Sequence, residues 1–162
     1  MWEPNEIRVV RWFMRFAGVG ILIPGVIYAL SWPDTLKAFA LAVGDGPAPV
    51  AAGLSVAGLL LGGLSFIFAR GARIGAVLGV VALALGAVVH WQWSVMMNDR
   101  LEMLPEGLSE EDRRIFEDTI LFAANAQIPH LLKNLVLAGV CSMVFVLSPK
   151  LCGSRVKRAG SE

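Results

Sequence analysis

Four long apolar stretches, each closed by charge at one end and by Trp, Pro or polar residues at the other, organise the chain. They run from about Val9 to Trp32, Val50 to Ala69, Ile74 to Met97 and Ile128 to Ser148. Each reaches the roughly 20 residues that a helix rising about 1.5 Å per residue needs to cross a hydrocarbon core about 30 Å thick. None alternates polar and apolar positions as a half-buried strand does. Water is absent from that core, so every backbone N–H and C=O must be bonded within its own segment, and uniformly apolar spans achieve this only as helices. The pattern predicts an all-α fold: an integral membrane four-helix bundle over residues 1–150, followed by a basic cytoplasmic tail over 151–162.

The connections carry their own signals. Pro24 and Gly25 lie mid-span in the first stretch and predict a kink, Trp32 marks an interface, and Pro33 is expected to end the helix. Thr35 to Val43 suits one or two helical turns before Gly44, Asp45, Gly46, Pro47 and Pro49 break the chain. In the long segment between the third and fourth spans, Ser109 has the position of an N-cap. Asp112, three residues on, completes a shortened capping box, and Glu110 and Glu111 complement the helix dipole. A helix from about Glu110 to Ala126 follows, with Ile115, Phe116, Thr119, Ile120, Phe122 and Ala123 opposite Glu110, Arg113, Arg114, Glu117 and Asp118. It is expected as an amphipathic surface helix lying against the outer end of the bundle.

Small residues recur at helical spacing in the middle spans. Gly58 and Gly62 are four apart, as are Gly71, Gly75 and Gly79, and Ala82 and Gly86 continue the stripe. Lipid supplies no hydrophobic drive between helices, so van der Waals contact along such stripes is a principal source of association. The same stripe also suits a homo-oligomer contact.

Composition agrees with the pattern: 56% of residues are hydrophobic, and mean hydropathy is +0.66. With 14 Lys and Arg against 13 Asp and Glu, and no basic stripe interleaved with aromatics, nothing points to nucleic acid. The distribution of charge is more informative. Nine cations, Arg8, Arg11, Arg15, Arg70, Arg73, Lys150, Arg155, Lys157 and Arg158, flank one set of span ends, whereas the opposite loops hold Lys37, Arg100, Arg113 and Arg114. The positive-inside rule then places both termini in the cytoplasm, as expected for a bacterial inner membrane, and makes the outer face anionic. Met1 to Glu6 is too acidic for a secretory n-region, so the first span is read as retained. Cys141 and Cys152 would lie roughly 16 Å apart on one helix at about 1.5 Å per residue, beyond disulfide reach, and are read as inert small hydrophobes.

The local anomaly is Ile128-Pro129-His130-Leu131-Leu132-Lys133-Asn134, where a lysine and an asparagine fall within the first turns of a span. Ionisable residues inside a membrane are functional candidates by default. His90 precedes the interfacial Trp91 and Trp93 on the antiparallel third span, so a polar pocket of His90, Gln92, Gln127, His130, Lys133 and Asn134 is expected at the outer leaflet. Quinone is the cofactor such a pocket admits, since its carbonyls accept hydrogen bonds and its tail prefers the gaps between helices. The alternative is structural: Lys133 snorkels outward and Asn134 bonds a neighbouring helix. No carboxylate shares a span with either histidine, so no metal site is expected, and haem ligation by the two histidines lacks any CxxCH context. Catalytic residues are not identified, because nucleophilic triads, Walker loops and GxGxxG fingerprints are missing. Arg15, inside the cytoplasmic end of the first span, is read as snorkelling toward anionic headgroups.

These residues resemble the DoxX-like family of small four-helix membrane proteins. The likeness rests on Arg15 with Gly18 and Gly25, on the Pro49 to Gly63 segment with its Gly62-Gly63 pair, on the glycine-rich third span, and on His130-Leu131-Leu132-Lys133-Asn134-Leu135-Val136-Leu137-Ala138-Gly139. The chain departs from the family pattern at Val26 to Ala29 and at Leu54 to Val56, where members often carry a lysine and a glutamate. The resemblance implies a non-catalytic accessory subunit of a membrane complex, quinone-linked and redox in type, with a membrane protein partner. Alternatives are a quinone-reactive small subunit of a thiosulfate:quinone type oxidoreductase, a small-solute permease, and an assembly or trafficking factor.

Overall fold

The computed structural model describes residues 4–156, with side chains over 6–147. Six helices fill this range: α1 (Pro4–Leu30), α2 (Trp32–Val43), α3 (Ala48–Phe68), α4 (Ala72–Glu102), α5 (Glu110–Asn125) and α6 (Gln127–Val156). Four helical stretches are long and apolar enough to cross a membrane: Glu6–Leu30, Ala48–Phe68, Ala72–Glu102 and Glu110–Leu147, the last running through α5 and α6. They fit an integral membrane protein and correspond to the four apolar stretches. The helix expected to stop near Ser148 continues to Val156, so half of the expected basic tail is helical, and 157–162 lie outside the described residues.

Pro24 lies inside α1, which stays helical to Leu30 with Gly25 seated against Leu59 and Leu60 of α3. One local expectation changes in the structure. Pro33 opens α2 rather than merely closing α1, because a proline in the first turn loses only an N–H that would have no helical partner. Ser31 turns the chain, donating its hydroxyl to the Ile27 carbonyl, and Thr35 donates to the Tyr28 carbonyl. Phe39 of α2 then packs with Ala48, Ala52 and Val89, while Trp93 Nε1 donates to the Ala38 carbonyl. α2 therefore caps the α3–α4 pair at the end of the bundle opposite both termini, here called the distal end.

The spans follow one another around the bundle: α1 packs on α3, α3 on α4 and α4 on α6, with only slight contact between α1 and α6. Glycine sets each close approach. A methyl group on Gly18 would lie 2.8 Å from the Gly63 carbonyl oxygen, one on Gly58 2.8 Å from the Leu78 carbonyl oxygen, and one on Gly62 2.9 Å from the Gly75 carbonyl oxygen. Ser55 ties the same interface by donating to the Ala82 carbonyl at 3.2 Å. Gly71, which shares the sequence spacing, plays a different part: its φ of 64° places it in the left-handed region at the N-cap of α4. Met14, Ile21, Leu59, Phe66, Leu83 and Cys141 form the core where the four spans meet.

The α4–α6 seam is antiparallel with one register throughout. Gly79 faces Cys141, Gly86 faces Asn134 and His90 stacks on His130, so steps of seven and four residues on α4 are met by the same steps in reverse on α6. That spacing is the repeat of a coiled-coil seam, with a small residue opposite a larger one in two of the three layers.

The glycine contacts differ enough to be tested. Gly62→Leu and Gly79→Leu should lower folded yield and cost about 1 to 3 kcal/mol through overpacking. Gly53→Ala and Gly139→Ala, where a methyl meets nothing within 4 Å, should be tolerated, as should Val77→Leu. Thermal unfolding in mild detergent distinguishes the two groups, and equal behaviour would show that the seams do not depend on close approach.

Candidate functional site

The α4–α6 register brings together four of the six residues expected to form a pocket. His90 and His130 lie with ring centroids 5.1 Å apart and planes 15° from parallel. His90 Nδ1 is 2.8 Å from Gln127 Oε1. Asn134 sits one turn further along α6 than His130, with its amide against Gly86 at a point where a methyl on that glycine would approach Nδ2 to 2.9 Å. Gly86, read from the sequence as a packing residue, is thus the wall that admits the asparagine.

A short relay determines the tautomer of His90. Gln127 Nε2 donates to the Ala123 carbonyl at 3.5 Å, which directs Oε1 toward His90. A carbonyl oxygen only accepts, so His90 Nδ1 carries the proton and, in the neutral ring, Nε2 is left as an acceptor. The Ala123 carbonyl had no signal in the sequence, since it contributes through backbone alone.

Lys133 and Gln92 stand differently. Lys133 is exposed on α6, near enough for its charge to act on His90. Gln92, two residues beyond His90, is exposed and makes no hydrogen bond to the other five. Two residues along a helix turn the side chain about 200° around the axis, which places Gln92 on the far side of α4 from His90.

Burial ranks the polar groups. His130 is exposed, His90 and Gln127 are half-buried, and Asn134 keeps only 5% of its surface accessible. The interhelical hydrogen bond expected of Asn134 is not formed: its amide abuts Gly86, and among the described residues the side-chain bonds at this site are His90 Nδ1–H to Gln127 Oε1 and Gln127 Nε2–H to the Ala123 carbonyl. Among the described residues no fully buried side-chain N or O lacks a partner, so the Asn134 amide reaches a narrow accessible window rather than a sealed void. A nearly buried amide without a partner normally costs about 1 to 3 kcal/mol. The arrangement therefore offers one imidazole acceptor, a second imidazole, and an amide that both donates and accepts. Deeper in the same seam Cys141 is fully buried with a free thiol against Gly79; the side chain of Cys152 lies outside the described residues. No group of three or more His, Cys, Asp or Glu that could hold a metal ion occurs among the described residues.

The energetic consequence is measurable in the unliganded protein. Asn134→Leu preserves shape while removing an unpartnered amide, so it should leave stability unchanged or raise it by about 1 kcal/mol. Gly86→Ala should displace the amide at little cost, well below that of Gly62→Leu, because its methyl meets only the end of the Asn134 side chain and no backbone. Denaturant unfolding in detergent checks both, and a marked loss in Asn134→Leu would reveal a hydrogen bond that the amide makes in the membrane. Against family models, curated proteins and solved structures, the chain finds no match.

Proposed function

We propose that this chain is a DoxX-like accessory subunit of an inner-membrane complex, non-catalytic itself, whose α4–α6 cleft receives a quinone-type head group. The observation that carries the reading is the Asn134 amide, nearly buried yet without a hydrogen-bond partner, beside two stacked imidazoles. A quinone carbonyl accepts from the asparagine amide, and a quinol hydroxyl donates to His90 Nε2; both exchanges satisfy groups that the protein leaves open. The prenyl tail runs into lipid past the exposed His130 and Lys133. The resemblance in the His130 to Gly139 segment supports the same reading.

Trp91 and Trp93 follow His90 directly and serve as reporters, since a bound quinone quenches nearby indole fluorescence. In nanodiscs, a short-chain quinone should quench saturably. His130→Ala and Asn134→Leu should weaken that binding about tenfold or more, equivalent to about 1.4 kcal/mol. Lys133→Met should change it less, because the lysine is exposed. Unaltered affinity in Asn134→Leu would remove the basis of the proposal.

The charge distribution supports a topology with both termini in the cytoplasm: Arg8, Arg11, Arg15, Arg70 and Arg73 gather at the end of the bundle that holds the N-terminus. Cysteines introduced at Gly71 should be labelled by a membrane-impermeant reagent only from the cytoplasmic side, and at Glu106 only from outside. Labelling of both from one side would overturn the four-span topology.

A further inference from the structure

We infer that the outward face of α5 is the docking surface for a basic amphipathic segment of a partner protein. The inference rests on the accessory-subunit reading and names the partner's chemistry.

Ala126, the single residue between α5 and α6, has helical φ and ψ of −63° and −19°, and its N–H bonds the Phe122 carbonyl at 2.9 Å. Helical conformation thus passes from α5 into α6, so α5 continues the distal end of α6 and packs beside the last turns of α4. It lies against the distal part of α4 as an extension of α6, not as a separate element. Depth follows from the register. From Arg73, a helix crosses a hydrocarbon core of about 30 Å by the level of Trp93, and headgroups add about 5 to 7 Å. Gln127 lies level with Trp93 in the same register, and Phe116 is a further eleven residues along, roughly 16 Å at about 1.5 Å each. Ile115 and Phe116 therefore stand clear of lipid.

Ala124 is buried, with Arg113, Glu117 and Ile120 half-buried on the same side, whereas Ile115, Phe116 and Phe122 are 57%, 50% and 77% exposed. The apolar face of this amphipathic helix is thus directed away from its own protein. A cluster of that kind in water marks an interaction site.

Glu111, Asp112 and Asp118 border the apolar strip and are exposed, with Arg114 the opposing cation at its edge. Arg113 is drawn off to the Pro105 carbonyl at 3.3 Å. A second copy of the chain would bring acid against acid, which disfavours self-association through this face. An apolar helix stripe flanked by lysine or arginine is complementary in both respects.

The test uses the full chain in phosphatidylcholine nanodiscs and two fluorescent synthetic helices, one of leucine and lysine, the other with glutamate replacing each lysine. The lysine peptide should bind saturably and the glutamate peptide should not. Phe116→Ser with Phe122→Ser, and separately Glu111→Lys with Asp118→Lys, should each weaken the lysine peptide about tenfold. Equal binding of both peptides, or binding that the serine pair leaves unchanged, overturns the proposal. So does a homodimer dissolved by the serine pair, or a photocrosslinker at Phe116 that captures phospholipid. Quinone quenching read on the same samples separates the two ideas. Loss of peptide binding with quenching intact in the serine pair leaves the cleft standing, and failed quenching with peptide binding intact leaves the surface standing.

Discussion

Close backbone approach at glycine is the constraint from which the rest of the structure follows. Lipid is as apolar as a leucine side chain, so helices in a bilayer gain little by hiding from it and must gain by touching one another. Here the α3–α4 seam brings backbone against backbone where Gly62 meets Gly75, and the α4–α6 seam seats the Cys141 side chain against Gly79. Such contacts tolerate no sliding, because displacement by one residue puts a side chain where only a hydrogen fits. Register is therefore decided by the glycines, and everything polar in the membrane is carried to its place by that register.

The polar end of the α4–α6 seam is the main consequence. His90 and His130 meet because they are the next layer of the same seam beyond Gly86 and Asn134. The layers change in character along it, from an apolar Gly79–Cys141 contact at the core to an asparagine without a partner, and then to stacked imidazoles near the interface. Polarity thus rises toward the distal end of the bundle. Gln127 belongs to the same progression, holding the proton on His90 Nδ1 through its own bond to the backbone.

Beyond the interface the same helices continue as a projecting pair. α4 has 31 residues, more than a bilayer requires, and α5 stands beside its excess length. Ser109 starts α5 by accepting the Asp112 N–H at 3.1 Å while donating to the Asp112 carboxylate at 2.7 Å. The capping pair satisfies the helix start locally, so α5 needs no cover from the bundle there. Its apolar face is thereby free to turn outward.

Much of this was legible in the residues. Long apolar runs dictate helices because backbone bonds in lipid have no other partners, and Ser109 with Asp112 announces a helix start through local chemistry alone. The mirrored spacing of Gly79, Gly86 and His90 against Cys141, Asn134 and His130 was also present in the sequence, as was the meeting of the two histidines at one depth. What tertiary structure decided is orientation about and along the helix axes. Gln92 shares the sequence neighbourhood of His90 but turns to the other side of α4, and Asn134 meets a glycine rather than a hydrogen-bond acceptor. Periodicity identified the apolar face of α5, yet an amphipathic pattern says only that two faces differ. Which of them meets the protein depends on the axis that α5 inherits from α6 through Ala126, and on the α4 surface beside it.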